Sequence, residues 1–171
     1  MKVINVFGGP GAGKSTTAAG LFYKMKQKGL NVELVTEYAK DMTWEGRMNI
    51  LGDQLYVLAK QQRRVSRLKG KVDWVVTDAP FFLGLAYVEP NYLKTFEPLV
   101  LEAWEQYDNY SFMLDRKALK YQEVGRNQDA KEATALDDKL HRLLVSRRIP
   151  YTTVVTSDTV VDEILGHLKI D

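Results

Sequence analysis

Five stretches of the chain, 2–7, 31–36, 72–77, 110–114 and 151–156, are nearly continuous in apolar, β-branched or aromatic residues. Such runs, unlike alternating ones, predict strands covered on both faces, as in a parallel sheet. Between them apolar residues recur at helical spacing. The segment 15–28 ends before Gly29, a residue suited to closing a helix. Leu51, Leu55, Leu58, Val65 and Leu68 form a stripe along a second helix that stops at Gly70. Segments 92–107, 130–146 and 159–168 supply three more. Strand and helix alternate along the whole chain, which predicts βαβ crossovers and a three-layer α/β architecture. The segments 79–92 and 117–129 lack the pattern and read as loops or lids. At 171 residues the expectation is one domain over 1–171.

Composition narrows the function classes. The chain is 45% apolar and 27% charged, the balance of a globular protein. Its formal net charge of +2 gives no strong overall field to recruit nucleic acid or an anionic membrane, so any basic face must be local. Cysteine is absent, which excludes a disulfide framework and cysteine-ligated zinc. The two histidines, His141 and His167, are far apart and argue against a histidine metal site. The first strand follows the initiating Met1 directly, with no long apolar stretch behind a basic start, so a cytoplasmic protein without a membrane span is expected.

The sharpest chemical signal is Gly8-Gly9-Pro10-Gly11-Ala12-Gly13-Lys14-Ser15, placed after a predicted strand and at the opening of a predicted helix. Glycines let the backbone turn its N–H groups inward around phosphate oxygens, and the helix N-terminus adds positive potential. Lys14 is then expected to reach the β and γ phosphates of ATP or GTP. Ser15 is expected to place its hydroxyl on Mg²⁺, with Thr16 near the α-phosphate. A turn that merely joined strand to helix would not need lysine and serine at those offsets.

Ligands of open parallel sheets lie beyond the carboxyl ends of the strands. Asp78, after 72–77, fits the Walker B acid that holds Mg²⁺; the alternative is a helix cap or a solvated turn. Glu37, after 31–36, is a candidate acceptor-side carboxylate that takes the proton of an attacking hydroxyl. Its alternative is a surface pair with Lys40 or Arg47. In the stretch that follows the fourth strand, Arg116 and Arg126 are candidates to stabilise charge on the transferred phosphoryl group, with Gly125 a hinge and Tyr121 and Gln128 weaker ligand contacts. Solvation is the alternative for each. Gln62 falls on the register of the apolar stripe, where a buried amide needs partners. Tyr38, Trp44 and Tyr87 are candidates to stack on a flat acceptor, or to pack.

The residues 8–16, Thr36-Glu37-Tyr38-Ala39-Lys40, Gly52-Asp53-Gln54, Val75-Val76-Thr77-Asp78-Ala79-Pro80 and Gly125-Arg126 together resemble small P-loop kinases akin to the nicotinamide riboside kinase domain of bacterial NAD-biosynthesis regulators. Bacteriophage-encoded P-loop ATPases of similar layout resemble the chain still more closely. The resemblance covers almost the whole chain, although only the phosphate loop is specific by itself. It implies a P-loop NTPase fold with a five-stranded parallel sheet in the order 2-3-1-4-5. It also implies a Walker B acid at Asp78, an acceptor-side carboxylate at Glu37, and lid arginines at Arg116 and Arg126 within a lid at 116–130. The acceptor itself is not carried over.

Three functions follow as expectations. The first is a kinase that moves the γ-phosphate of ATP to a hydroxyl of a small nucleoside- or nucleotide-like acceptor. The second keeps this chemistry on hydroxymethylated bases of phage DNA, tracked by Arg63, Arg64, Arg67, Lys69 and Lys71. The third is a nucleotide-dependent switch with incidental ATPase activity. Residues 134–137 do not supply the Asn-Lys-x-Asp pattern that reads guanine. The oligomeric state is left open.

Overall fold

The computed structural model describes residues 1–116 and 130–170. The five apolar runs form β1 (Lys2–Phe7), β2 (Val32–Val35), β3 (Trp74–Thr77), β4 (Asp108–Asp115) and β5 (Thr152–Val155). They lie in the order β2-β3-β1-β4-β5 and every pairing is parallel. This is the P-loop NTPase sheet that the resemblance implied. β1 sits at its centre, with Ile4 opposite Val76 on one side and Tyr110 on the other.

The helices are α1 (Lys14–Gln27), α2 (Tyr38–Trp44), α3 (Met48–Leu51), α4 (Gln54–Ser66), α5 (Leu83–Tyr87), α6 (Phe96–Glu105), α7 (Ala130–Ser146) and α8 (Val160–His167). Successive strand residues point to opposite faces, so the continuous apolar runs fill two cores. Val3, Phe7, Val75 and Met113 meet Leu58, Val65, Phe82, Val100 and Leu140 from α4, α6, α7 and the turn before α5. Ile4, Val6, Val76, Phe112, Leu114 and Val154 meet Leu21 and Met25 of α1 and Val160 and Ile164 of α8. Each such side chain taken fully out of water contributes about 1.5–3 kcal/mol. Phe7 is buried beside Trp104, with ring centroids 6.1 Å apart, and so anchors the strand end from which the phosphate loop springs.

Three sequence expectations are corrected. The stripe over 51–70 is not one helix, because Gly52 and Asp53 interrupt it and Asp53 caps α4 by accepting a hydrogen bond from Tyr56 N at 3.1 Å. Counted from that cap, the buried face is Gln54, Leu58, Gln61 and Val65, whereas Leu55 is 39% exposed. The buried amide expected at Gln62 is therefore Gln61. The segment 79–92 is no lid: Phe81, Phe82, Leu83, Leu85 and Ala86 are buried in the core and α5 runs through it. Finally, α2 lies where no helix was expected, since only Tyr38 and Met42 mark its buried face.

Of the lid at 116–130, Arg116 and the start of α7 are described. Arg126, Gly125, Tyr121 and Gln128 lie outside the described residues. Among the described residues no helix is long and apolar enough to cross a membrane.

Candidate active site

At the end of β1 the chain turns through the phosphate loop and enters α1 at Lys14. Gly11 (φ 77°) and Gly13 (φ 93°) stand in the left-handed region, which side-chain-bearing residues rarely adopt, and Gly13 is the residue that caps α1. No acidic residue occupies the first turn of α1, so the positive end of the helix is not offset there. Lys14 Nζ curls back to Gly9 O at 3.2 Å. Thr156 Oγ1, just beyond β5, donates to Ala12 O at 2.9 Å and holds the loop from its other side.

Ser15 Oγ donates to Asp78 Oδ2 at 2.6 Å. Asp78 is only 2% exposed, and its Oδ1 is a buried oxygen without a hydrogen-bond partner among the described residues. A buried carboxylate oxygen left unpaired is costly, and a cation relieves that cost. Hard oxygen donors on one carboxylate and one hydroxyl fit Mg²⁺, which typically takes one or two carboxylates and completes its shell with phosphates and water. No group of three or more histidine or acidic side chains capable of holding a metal occurs among the described residues, so the ion would depend on phosphate oxygens as well.

Glu37 occupies the N-cap position of α2, but its side chain makes no capping bond. The half-buried carboxylate lines the cleft that also holds Lys14, Ser15 and Thr16. Burial pushes its pKa upward; Lys14 opposes this, Asp78 reinforces it, and Lys40 and Asp41 act in opposite senses more weakly. Among the described residues it forms no ion pair with Lys40 or Arg47. Arg47 pairs with Glu45 at 3.4 Å, and Lys40 Nζ lies 3.4 Å from Ser15 Oγ.

The backbone around Glu37 is gripped from α4. Gln61, 5% exposed, accepts from Tyr38 N at 3.0 Å and donates to Thr36 O at 3.3 Å, bracketing the residue between. Arg64 donates to the same Thr36 O at 3.0 Å and pairs with Asp41. Gln61 thus spends its amide on the chain, and Arg64 is likewise engaged. Sequence reading missed this by one residue, for want of the Asp53 cap as the origin of the register.

The same cleft, about 440 Å³, is lined as well by the apolar side chains of Met48, Leu51, Leu58, Phe81, Leu83 and Tyr87. Gln54 also lines it, with its Nε2 donating to Leu51 O at 2.6 Å. Of the three candidate stacking residues only Tyr87 reaches the cleft. Tyr38 packs edge-on against Tyr56 with the Arg64 guanidinium 5.4 Å from its ring, and Trp44 is 62% exposed.

Arg116 does not line the cleft. It turns to the back of the phosphate loop, where Nη1 donates to Pro10 O at 2.7 Å and Nε to Asp137 Oδ2 at 2.5 Å. The other oxygen of Asp137 accepts from Gly9 N at 2.5 Å. Asp137, on α7, carries no local sequence signal that marks it for this place.

Among proteins of curated function none matches the sequence. The fold is similar to that of the NadR protein solved with NAD and AMP-PNP, at 15% identity and a TM-score of 0.69, over 99% of this chain and 50% of that one. This chain therefore spans about half the length of that protein. Deoxyadenosine kinase from M. mycoides with bound dATP matches at 19% identity and a TM-score of 0.60, over 99% of this chain and 100% of the other. The same enzyme with dCMP and a flexible dCDP matches at 16% identity and a TM-score of 0.56, over 99% of each chain. At such identities the likeness establishes the fold, one shared with small P-loop kinases. The sequence itself decides the family: a model of the AAA domain matches residues 3–160, phosphate loop included, and the chain belongs to that family of P-loop nucleotide-binding domains.

Proposed function

We propose that the protein is an ATP-dependent phosphotransferase that moves the γ-phosphoryl group to a hydroxyl of a nucleoside- or nucleotide-like acceptor. One observation carries this reading: Glu37 lines a single cleft together with the phosphate loop and a set of apolar side chains that a triphosphate does not need. A switch that only grips a triphosphate needs no such apolar lining. An acceptor seated against Leu58, Phe81 and Tyr87 would present its hydroxyl between Glu37 and the γ-phosphate.

In the transfer, the acceptor oxygen forms its bond to phosphorus as the bond to the β–γ bridging oxygen breaks. The hydroxyl proton passes to Glu37, and ADP leaves. Lys14 offsets charge on the β and γ phosphates. Mg²⁺, held by Ser15 and Asp78 together with phosphate oxygens, would neutralise the developing charge on the leaving ADP. A carboxylate whose pKa is raised by burial is a stronger base than an ordinary surface glutamate, which suits it to this proton. The ligands named with the structural neighbours, AMP-PNP with NadR and dATP or dCMP with deoxyadenosine kinase, support the choice of donor and acceptor class.

The test is ADP release measured with Mg-ATP and a panel of nucleosides, nucleotides and duplex DNA bearing hydroxymethylated bases. At least one small acceptor should raise the rate well above the basal value and appear as its phosphate ester. Stimulation by the DNA alone would move the acceptor to nucleic acid. A basal rate that no acceptor changes would leave a switch and remove the transferase.

A further inference from the structure

We infer that Asp137 is a positioning residue for the phosphate loop, and that Arg116 keeps its carboxylate in that role instead of clamping the transferred phosphoryl group. The inference rests on nucleotide binding by the loop and not on the transfer reaction.

Three observations converge. Asp137 bridges two partners, accepting from the backbone N–H of Gly9 at 2.5 Å with one oxygen and from Arg116 Nε at 2.5 Å with the other. Arg116 in turn donates to Pro10 O at 2.7 Å and reaches Ala133 O at 3.4 Å, so the guanidinium is committed to the loop and to α7. The approach is close enough to dictate sequence. A Cβ at Gly9 would stand 2.7 Å from Ala133 O, 2.9 Å from Arg116 Nη2 and 3.0 Å from Asp137 Oδ1. The phosphate-binding pattern leaves that loop position free, but α7 does not.

Charge gives the brace its logic. Asp137 places a negative group, 17% exposed, directly behind a loop built to hold a polyanion. Unpaired, it would repel the nucleotide and bear an uncompensated desolvation cost. Arg116, 18% exposed, cancels that charge while its planar fork ties the carboxylate and the Pro10 carbonyl together. The carboxylate then fixes the Gly9 amide, and with it the entry to the loop. Arg116 directly follows β4 and Asp137 lies on α7, so the brace secures the loop from segments distant in sequence.

A phosphate-clamping Arg116 predicts the opposite response to one substitution, which makes the test decisive. Mg-ATP affinity is measured by calorimetry for R116A, D137N and R116A/D137N, with the unliganded thermal midpoint of each. For a brace, R116A loses about tenfold or more in affinity, because a buried carboxylate is left unpaired beside the phosphates. D137N loses only about threefold, since its amide oxygen still accepts from Gly9 N. The double variant binds about threefold more tightly than R116A alone, a rescue that loss of fold stability would not produce. Should R116A fail to fold, R116K against R116K/D137N makes the same comparison. Losses that multiply in the double variant, or a D137N protein that binds ATP as tightly as the parent or more tightly, would overturn the brace and return Arg116 to the phosphates.

Discussion

At the phosphate end of the cleft, one uninterrupted segment from Gly8 to Ser15 presents backbone N–H groups, a lysine and a hydroxyl. The apolar part of the lining, Met48, Leu51, Leu58, Phe81 and Tyr87, comes from α3, α4, α5 and the turn after β3. The first end works through the main chain, whose geometry glycines fix, and it recognises a group common to every nucleoside triphosphate. The second works through apolar side chains on separate elements, of which Leu58 and Phe81 also belong to the core while Tyr87 is more exposed. On the proposed transferase reading, such a division lets the donor chemistry stay constant while the acceptor preference varies. Glu37 lines the same cleft, and its flanking peptides are held from α4 by Gln61.

The contrast can be tested from the phosphate end outward. Lys14→Ala should lower kcat/KM by about 10²–10³-fold or more and abolish the rise in thermal midpoint that Mg-ATP gives the parent protein. Glu37→Gln should lower turnover about 10²–10⁴-fold while calorimetric ATP affinity stays within about twofold. If ATP affinity falls with turnover, the carboxylate belongs to the donor side and the division fails.

The same substitution has a stability signature. A carboxyl whose folded pKa is raised binds its proton more tightly in the native state, so stability declines as pH rises from the unfolded value through the raised folded one. Glu37→Gln should remove that decline and be the more stable protein at neutral pH. The acid limb of the parent's kcat/KM profile should lie above the ordinary glutamate range, because the base must be ionised.

Gln61→Leu comes next. It leaves Tyr38 N and Thr36 O without the amide, at a cost of about 1–3 kcal/mol in urea unfolding, and should slow turnover about tenfold with little change in ATP affinity. Smallest is Tyr87→Ala, expected to raise the acceptor KM about fivefold and leave the ATP KM alone. A matching change in the ATP KM would show that the two ends are not separable.

What the sequence discloses follows the same division. The phosphate loop is legible because its chemistry is contiguous, and the five strands because residues buried on both faces leave unbroken apolar runs. α2, α3 and α5 are not legible. Each is too short to display a period, and the apolar residues of α3 and α5 line a cleft that exists only after folding. Gln61 was misplaced at Gln62 because the helix register depends on where Asp53 caps it. Arg116 was expected over the phosphates from its charge, its place after the fourth strand and the resemblance, whereas it pairs with Asp137, a partner no local pattern could supply. The fold was therefore more readable than the side-chain geometry of the site.

The hydrogen bonds that brace the phosphate loop have one more consequence. Pro10 O is held by Arg116 across 106 positions, Gly9 N by Asp137 across 128, and Ala12 O by Thr156 across 144. A nascent chain releases its nucleotide loop early, yet the last of these supports leaves the ribosome only when synthesis has passed β5. The supports of the loop are therefore complete only once the most distant segments of the chain have come together, a long-range closure that local folding cannot supply.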